Sequence, residues 1–158
     1  LYACGSQEAK TTSNDDAVFA SFKENSKVAL SLFHAFENKD MSVFEKNLSD
    51  SAKIIGAKYG DSVFTKAQNI AILSNLTKLF VVSKANDIML LPGCDTVTYK
   101  TNSDVRAYVR WTDDAVNGAK IEHKYYAVFQ FNKDHQVTLI DEYFDVTGML
   151  NASTAPKK

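Results

Sequence analysis

Cysteine and proline are nearly absent from this 158-residue sequence, with two of each, and only six glycines punctuate it. Cys4 lies in a run of small residues and Cys94 follows Pro92-Gly93, so the pair suggests neither a disulfide framework nor a thiolate metal site. An excess of charge of one sign is also missing. The 18 Lys and Arg stand against 19 Asp and Glu, for a formal charge of −1, which leaves no basic surplus to hold a phosphate backbone. Nucleic acid is therefore not an expected partner. No stretch approaches the ~20 apolar residues of a membrane-spanning helix. The most apolar short runs are Phe80-Val81-Val82 and Ile88-Met89-Leu90-Leu91. The three histidines, His34, His123 and His135, have no ligand spacing, and neither a Gly-rich phosphate loop nor a nucleophile elbow is present. Neither a metal nor a cofactor is expected.

What is abundant is apolar and aromatic: 45% of residues are hydrophobic and 11% are Phe, Trp or Tyr. At this length one core can bury most of that surface without staples. The expected layout is a tether over 1–15, a folded domain over 16–150 and a disordered tail over 151–158. Leu1-Tyr2-Ala3-Cys4-Gly5-Ser6 resembles the end of a bacterial lipoprotein signal, with an apolar residue three before the cysteine, although Tyr2 departs from the usual small residue. That resemblance implies a lipid on Cys4, a place in the bacterial cell envelope on the periplasmic or surface side, and membrane contact through the lipid alone. Residues 7–15 are polar and suit a solvated linker.

Apolar periodicity supplies the elements. Asn14, Asp15 and Asp16 offer capping side chains, and Phe19, Phe22, Ala29, Phe33 and Phe36 recur at helical spacing, predicting a helix over 16–37. Asn38-Lys39-Asp40 breaks it, and a short second helix is expected over 41–48. Runs over 52–59 and 62–65 flank Gly60-Asp61 and read as a hairpin. Thr65-Lys66-Ala67-Gln68 has the form of a capping box for a third helix ending near Phe80. Strand character follows over 87–100, where Pro92-Gly93 suggests a bulge or edge, and then over 104–112, 119–132 and 136–147. Connections at 113–118 and 133–135 are short enough for an antiparallel meander. No helix is expected after that point. In the 119–132 strand Ile121, His123, Tyr125, Ala127, Phe129 and Phe131 share one face.

The order helix, helix, hairpin, helix and meander gives an α+β fold, with helices on one face of an antiparallel sheet. It joins Ala29-Leu30-Ser31-Leu32-Phe33-His34-Ala35-Phe36-Glu37-Asn38-Lys39-Asp40 near the start to Leu139-Ile140-Asp141-Glu142-Tyr143-Phe144-Asp145 near the end. Over about 16–150 the sequence thereby resembles the nuclear-transport-factor-2-like superfamily, in its SnoaL-like, polyketide-cyclase-like branch. The resemblance implies a cone, in which a curved sheet wraps three helices and leaves an apolar pocket at the open end. It also implies a homodimer through the convex sheet face, where Arg106, Tyr108, Arg110, Glu122, Lys124 and Tyr126 would lie.

Family chemistry can be checked against these residues. Ketosteroid-isomerase-like catalysis would need a tyrosine in the first helix and an acid near the first strand, but that helix has no Tyr and Lys53-Ile54-Ile55 has no carboxylate. Epoxide-hydrolase-like members need an Asp two positions after an Arg, but Tyr108 stands there after Arg106 and Thr112 after Arg110. A SnoaL-like acid/base role would fall to His123 with Glu142 or Asp141, of which only one can face the pocket because neighbours on a strand point oppositely. Tyr59, Trp111, His123, Tyr125, Phe129, Ile140 and Phe144 are the expected pocket residues. Two functions stay open at this point. One is an envelope-anchored domain binding a small, largely apolar molecule; the other is a cyclase, isomerase or dehydratase using His123 and one of those carboxylates. Core packing is the plainer account of the aromatics, and a satisfied buried histidine that of His123.

Overall fold

The computed structural model describes residues 14–156; Cys4 and its tether lie outside them. Helix α1 spans Asn14–Asn38, with Asp15 and Asp16 in its first turn, where the helix dipole favours acidic groups. It buries Ala29, Leu32, Phe33 and Ala35, whereas Phe19, placed on that stripe by periodicity, is 52% exposed. The stop is a Schellman turn. Lys39 adopts a positive φ of 58°, its amide bonds to the Phe36 carbonyl at 3.1 Å, and the Asp40 amide reaches the Ala35 carbonyl at 2.8 Å. Asp40 then caps α2 (Met41–Asn47) by accepting from the Ser42 amide.

Strand β1 (Leu48–Ile55) leads through a loop at 56–63 to the two-residue β2 (Phe64–Thr65), pairing antiparallel at Lys53 with Thr65 and Ile54 with Phe64. The hairpin is present, but its loop is wider than the Gly60-Asp61 dipeptide suggests. Thr65 and Gln68 complete the capping box of α3 (Lys66–Leu76), which ends in a 3₁₀ turn, Thr77–Leu79. Strands β3 (Phe80–Cys94), β4 (Thr101–Ala115), β5 (Lys120–Phe131) and β6 (Val137–Phe144) form the meander. β4 is longer than the 104–112 expected, whereas β3 lies earlier than the 87–100 expected, beginning at Phe80 and ending at Cys94. The sheet order is β2-β1-β6-β5-β4-β3, antiparallel except that β1 lies parallel to β6. Register shifts in the β3–β4 pair, at Asn86/Met89 and Pro92/Cys94, mark bulges that bend these long strands.

A fourth helix, α4 (Val146–Thr154), follows β6 and corrects the expectation of a disordered 151–158 tail over its first four residues. Asp145 caps it, accepting from the Gly148 amide at 2.8 Å, and Asn117 in the β4–β5 turn donates to the Ala152 and Ala155 carbonyls at 2.9 Å. Its low-propensity sequence, Val-Thr-Gly-Met-Leu-Asn-Ala-Ser-Thr, hides it from pattern reading. Burial of Met149 and Ser153 holds it in place.

The helices lie on the concave face of the sheet. Ala107 and Ala127 face one another across β4 and β5 with no exposed surface, and their small side chains let α1 approach the sheet. Phe33 meets Trp111, Tyr125 and Phe129 edge-on at centroid distances of 6.2, 6.0 and 5.9 Å. The C-terminal end of α1 also shields the free edge of β3. Glu37 accepts from the Ala85 amide at 2.7 Å, and Lys39 donates to the Phe80 carbonyl at 2.6 Å. Among the described residues no helix is long and apolar enough to cross a membrane.

Candidate functional site

Between the concave sheet face and the helices lies a cavity of about 310 Å³. Its sheet wall carries Trp111, His123, Tyr125, Phe129, Ile140 and Phe144, six of the seven residues expected there. Tyr59 is the exception. It sits in the 56–63 loop with its side chain fully exposed at 102%, because β1 ends at Ile55 and strand alternation no longer governs its direction. Its loop neighbours Ala57, Lys58 and Asp61 reach the cavity instead.

Of the two adjacent carboxylates, Glu142 enters the cavity. Asp141 faces outward on β6, where the Tyr143 hydroxyl donates to it at 2.8 Å. Glu142 accepts a 2.8 Å hydrogen bond from the Tyr125 hydroxyl. Burial raises its pKa to about 7, against the Tyr125 hydrogen bond, which pulls it down. Tyr125 is itself held well above its usual value by burial and by the neighbouring carboxylate. This carboxyl group can therefore give or take a proton near neutral pH.

His123 does not meet Glu142. Its ring stacks on Phe144 at 5.6 Å, and its Nδ1 lies 3.5 Å from a carboxylate oxygen of Asp113. Asp113 is 3% exposed, and one of its oxygens and His123 Nδ1 are buried without a hydrogen bond. Burial pushes the Asp113 pKa up, opposed by the Ser83 hydroxyl and by His123. Burial pushes His123 down, opposed by Asp113 and Asp145. Both groups are thus drawn toward their neutral forms. An unpaired buried polar atom costs about 1–3 kcal/mol, so two in one place mark a site.

Sequence reading missed Asp113, assigning it to the β4–β5 connection. The inward alternation Val105, Ala107, Val109, Trp111 carries one step further in β4 than expected and brings Asp113 inside. Asn69 was also missed. It is 5% exposed, lines the cavity from α3 and makes no hydrogen bond within the described protein. No group of three His, Cys, Asp or Glu side chains among the described residues is arranged to hold a metal ion.

No protein-family model and no curated protein matches the sequence. Solved structures do match in shape. A candidate isomerase from Bacillus subtilis superposes with a TM-score of 0.71 at 14% identity, covering 87% of this chain and 99% of its own. AusH from Aspergillus nidulans gives 0.63 at 20% identity, covering 78% and 85%. A candidate SnoaL-like polyketide cyclase from Jannaschia gives 0.63 at 16% identity, covering 85% and 94%. The chain therefore has the fold of these structures, the nuclear-transport-factor-2-like cone.

Proposed function

We propose that the cone binds a small, largely apolar molecule bearing oxygen functions. The observation that carries this reading is an aromatic-walled cavity of about 310 Å³ in which His123, Asp113, Glu142 and Tyr125 interrupt an otherwise apolar sheet wall. Trp111, the single tryptophan, lies in that wall and reports on occupancy. Saturable quenching of its emission by small apolar ketones such as 2-acetylnaphthalene, and a copurified ligand in native mass spectrometry, are the expected results. The absence of both quenching and a copurified ligand would overturn the reading.

A second reading, acid–base chemistry on the bound molecule, is favoured by the Glu142 carboxyl group with its pKa of about 7. Ionised Glu142 would take a proton from the carbon next to a carbonyl and return it after rearrangement, with the neutral Tyr125 hydroxyl beside it. In deuterium oxide the protein should accelerate α-deuteration of 2-acetylnaphthalene, and Glu142→Gln should lower that acceleration roughly 100-fold or more. Equal exchange with and without protein would eliminate catalysis and leave binding.

The reading also includes two expectations about the molecule's setting. A lipid on Cys4 would attach the domain to the cell envelope; metabolic labelling with an alkyne fatty acid should mark the wild type and spare Cys4→Ala. The convex sheet face would pair two copies through its row of tyrosines.

A further inference from the structure

The three N-terminal-half helices give the cavity a wall of a single chemical kind, with one exception. Every residue that α1 and α2 contribute is Leu or Phe, and α3 adds Ile72, Leu73 and Leu76. The exception is Asn69 of α3, a residue 5% exposed that lines the cavity and whose amide has no hydrogen bond to the described protein. An amide carries two N–H donors and a carbonyl acceptor, and it is costly to bury without partners. Set among Leu, Ile and Phe at the cavity lining, this amide is left for something entering the cavity to answer. Its neighbours show the contrast: Gln68 one position earlier is engaged in the capping box, and Asn75 accepts from Lys78 on the helix exterior. Asn69 has no such local use.

The buried polar atoms of the cavity that lack a hydrogen bond belong to Asp113 and His123, on its sheet wall. Hydrogen-bonding groups on the helix wall and on the sheet wall select for a molecule that carries polar groups at two places and is apolar between them. We propose that Asn69 is a specificity residue, reading a second oxygen function on the ligand while the first lies against the His123, Asp113 and Glu142 side. The inference rests on the cavity being a binding site, and it adds that the ligand is at least bifunctional. A site built to hydrogen-bond a polar substituent discriminates against the analogue that lacks it, because the site's own groups are then left unpaired.

The test compares 2-acetylnaphthalene with 6-hydroxy-2-acetylnaphthalene, which adds a hydroxyl at the far end of the same frame, by calorimetric titration of the full chain. The wild type is expected to bind the bifunctional probe at least tenfold more tightly. In Asn69→Leu, similar in size but without the amide, the ratio of the two affinities should collapse to within about twofold. Asn69→Asp, which keeps an acceptor, should retain part of the preference. Thermal melts of both variants establish that they fold. A wild type that binds the two probes equally, or a folded Asn69→Leu that keeps the tenfold ratio, overturns the role of Asn69 while the binding site stands. A wild type that binds neither probe overturns the binding site and this inference together.

Discussion

Glu142 shows how much a single buried carboxyl group changes the behaviour of the domain. Its pKa is about 7 in the fold against 4.5 when unperturbed. Folded protein therefore holds a proton between these values that the unfolded chain releases, so stability is fully present below pH 4.5 and falls as pH rises through 7. The full loss corresponds to about 3 kcal/mol. Glu142→Gln keeps an acceptor for the Tyr125 hydroxyl and removes the titration. Urea denaturation should find variant and wild type equally stable near pH 4 and the variant more stable by about 3 kcal/mol at pH 8. Asp113 gives a second test. Its charge is the main influence raising the His123 pKa against burial, so Asp113→Asn should lower that pKa further. Titration of the His123 ring protons by NMR would show it.

At the level of elements, the signals that could be read locally are those made by neighbours in sequence. The Thr65–Gln68 capping box, the Asp40 cap and the break at Lys39 are contacts within a few residues, and all three were legible. Helix α4 was not, because its stability comes from Met149 inserting beside Phe80 and Ala115 and from Asn117 holding its carbonyls. A Cβ at Gly148 would stand 2.2 Å from an Asp145 carboxylate oxygen. That flexible group would swing aside and give up its cap. Gly148→Ala should thus fail to deliver the roughly 1 kcal/mol that alanine gains over glycine in a helix, because losing the cap costs about as much. Hydrogen exchange should quicken selectively in the first turn of α4, where the residue 148 amide loses its Asp145 acceptor beside the cavity wall formed by Val146 and Leu150.

Across the whole molecule, the convex face presents a row in register, Met89, Tyr108, Tyr126 and Tyr143, one from each of β3 to β6. The tyrosine rings follow one another at 4.7 and 5.6 Å, and Met89, Tyr108 and Tyr143 are 55%, 44% and 54% exposed. Aromatic area of this kind, bordered by Arg106, Arg110, Glu122 and Lys124, suits an interface. If two copies pair here, Tyr126→Glu at the centre of the row should shift the sedimentation coefficient to that of a monomer while leaving thermal stability at low concentration near that of the wild type. A wild type that sediments as a monomer at all concentrations would dismiss the pairing.

The sequence by itself determined the α+β order, the three N-terminal-half helices, and the inward face of β5 with His123, Tyr125 and Phe129. Each follows from periodicity of 3.6 or 2, or from turn and cap chemistry, which act over a few residues. Only the tertiary structure decided which polar groups meet. It paired His123 with Asp113 and Tyr125 with Glu142, turned Asp141 outward, left Tyr59 in solvent and set Asn69 alone on the helix wall. The physical reason is range. Alternation settles the face on which a side chain lies, whereas its partner depends on strand length and register and on the packing of helices far away in the chain.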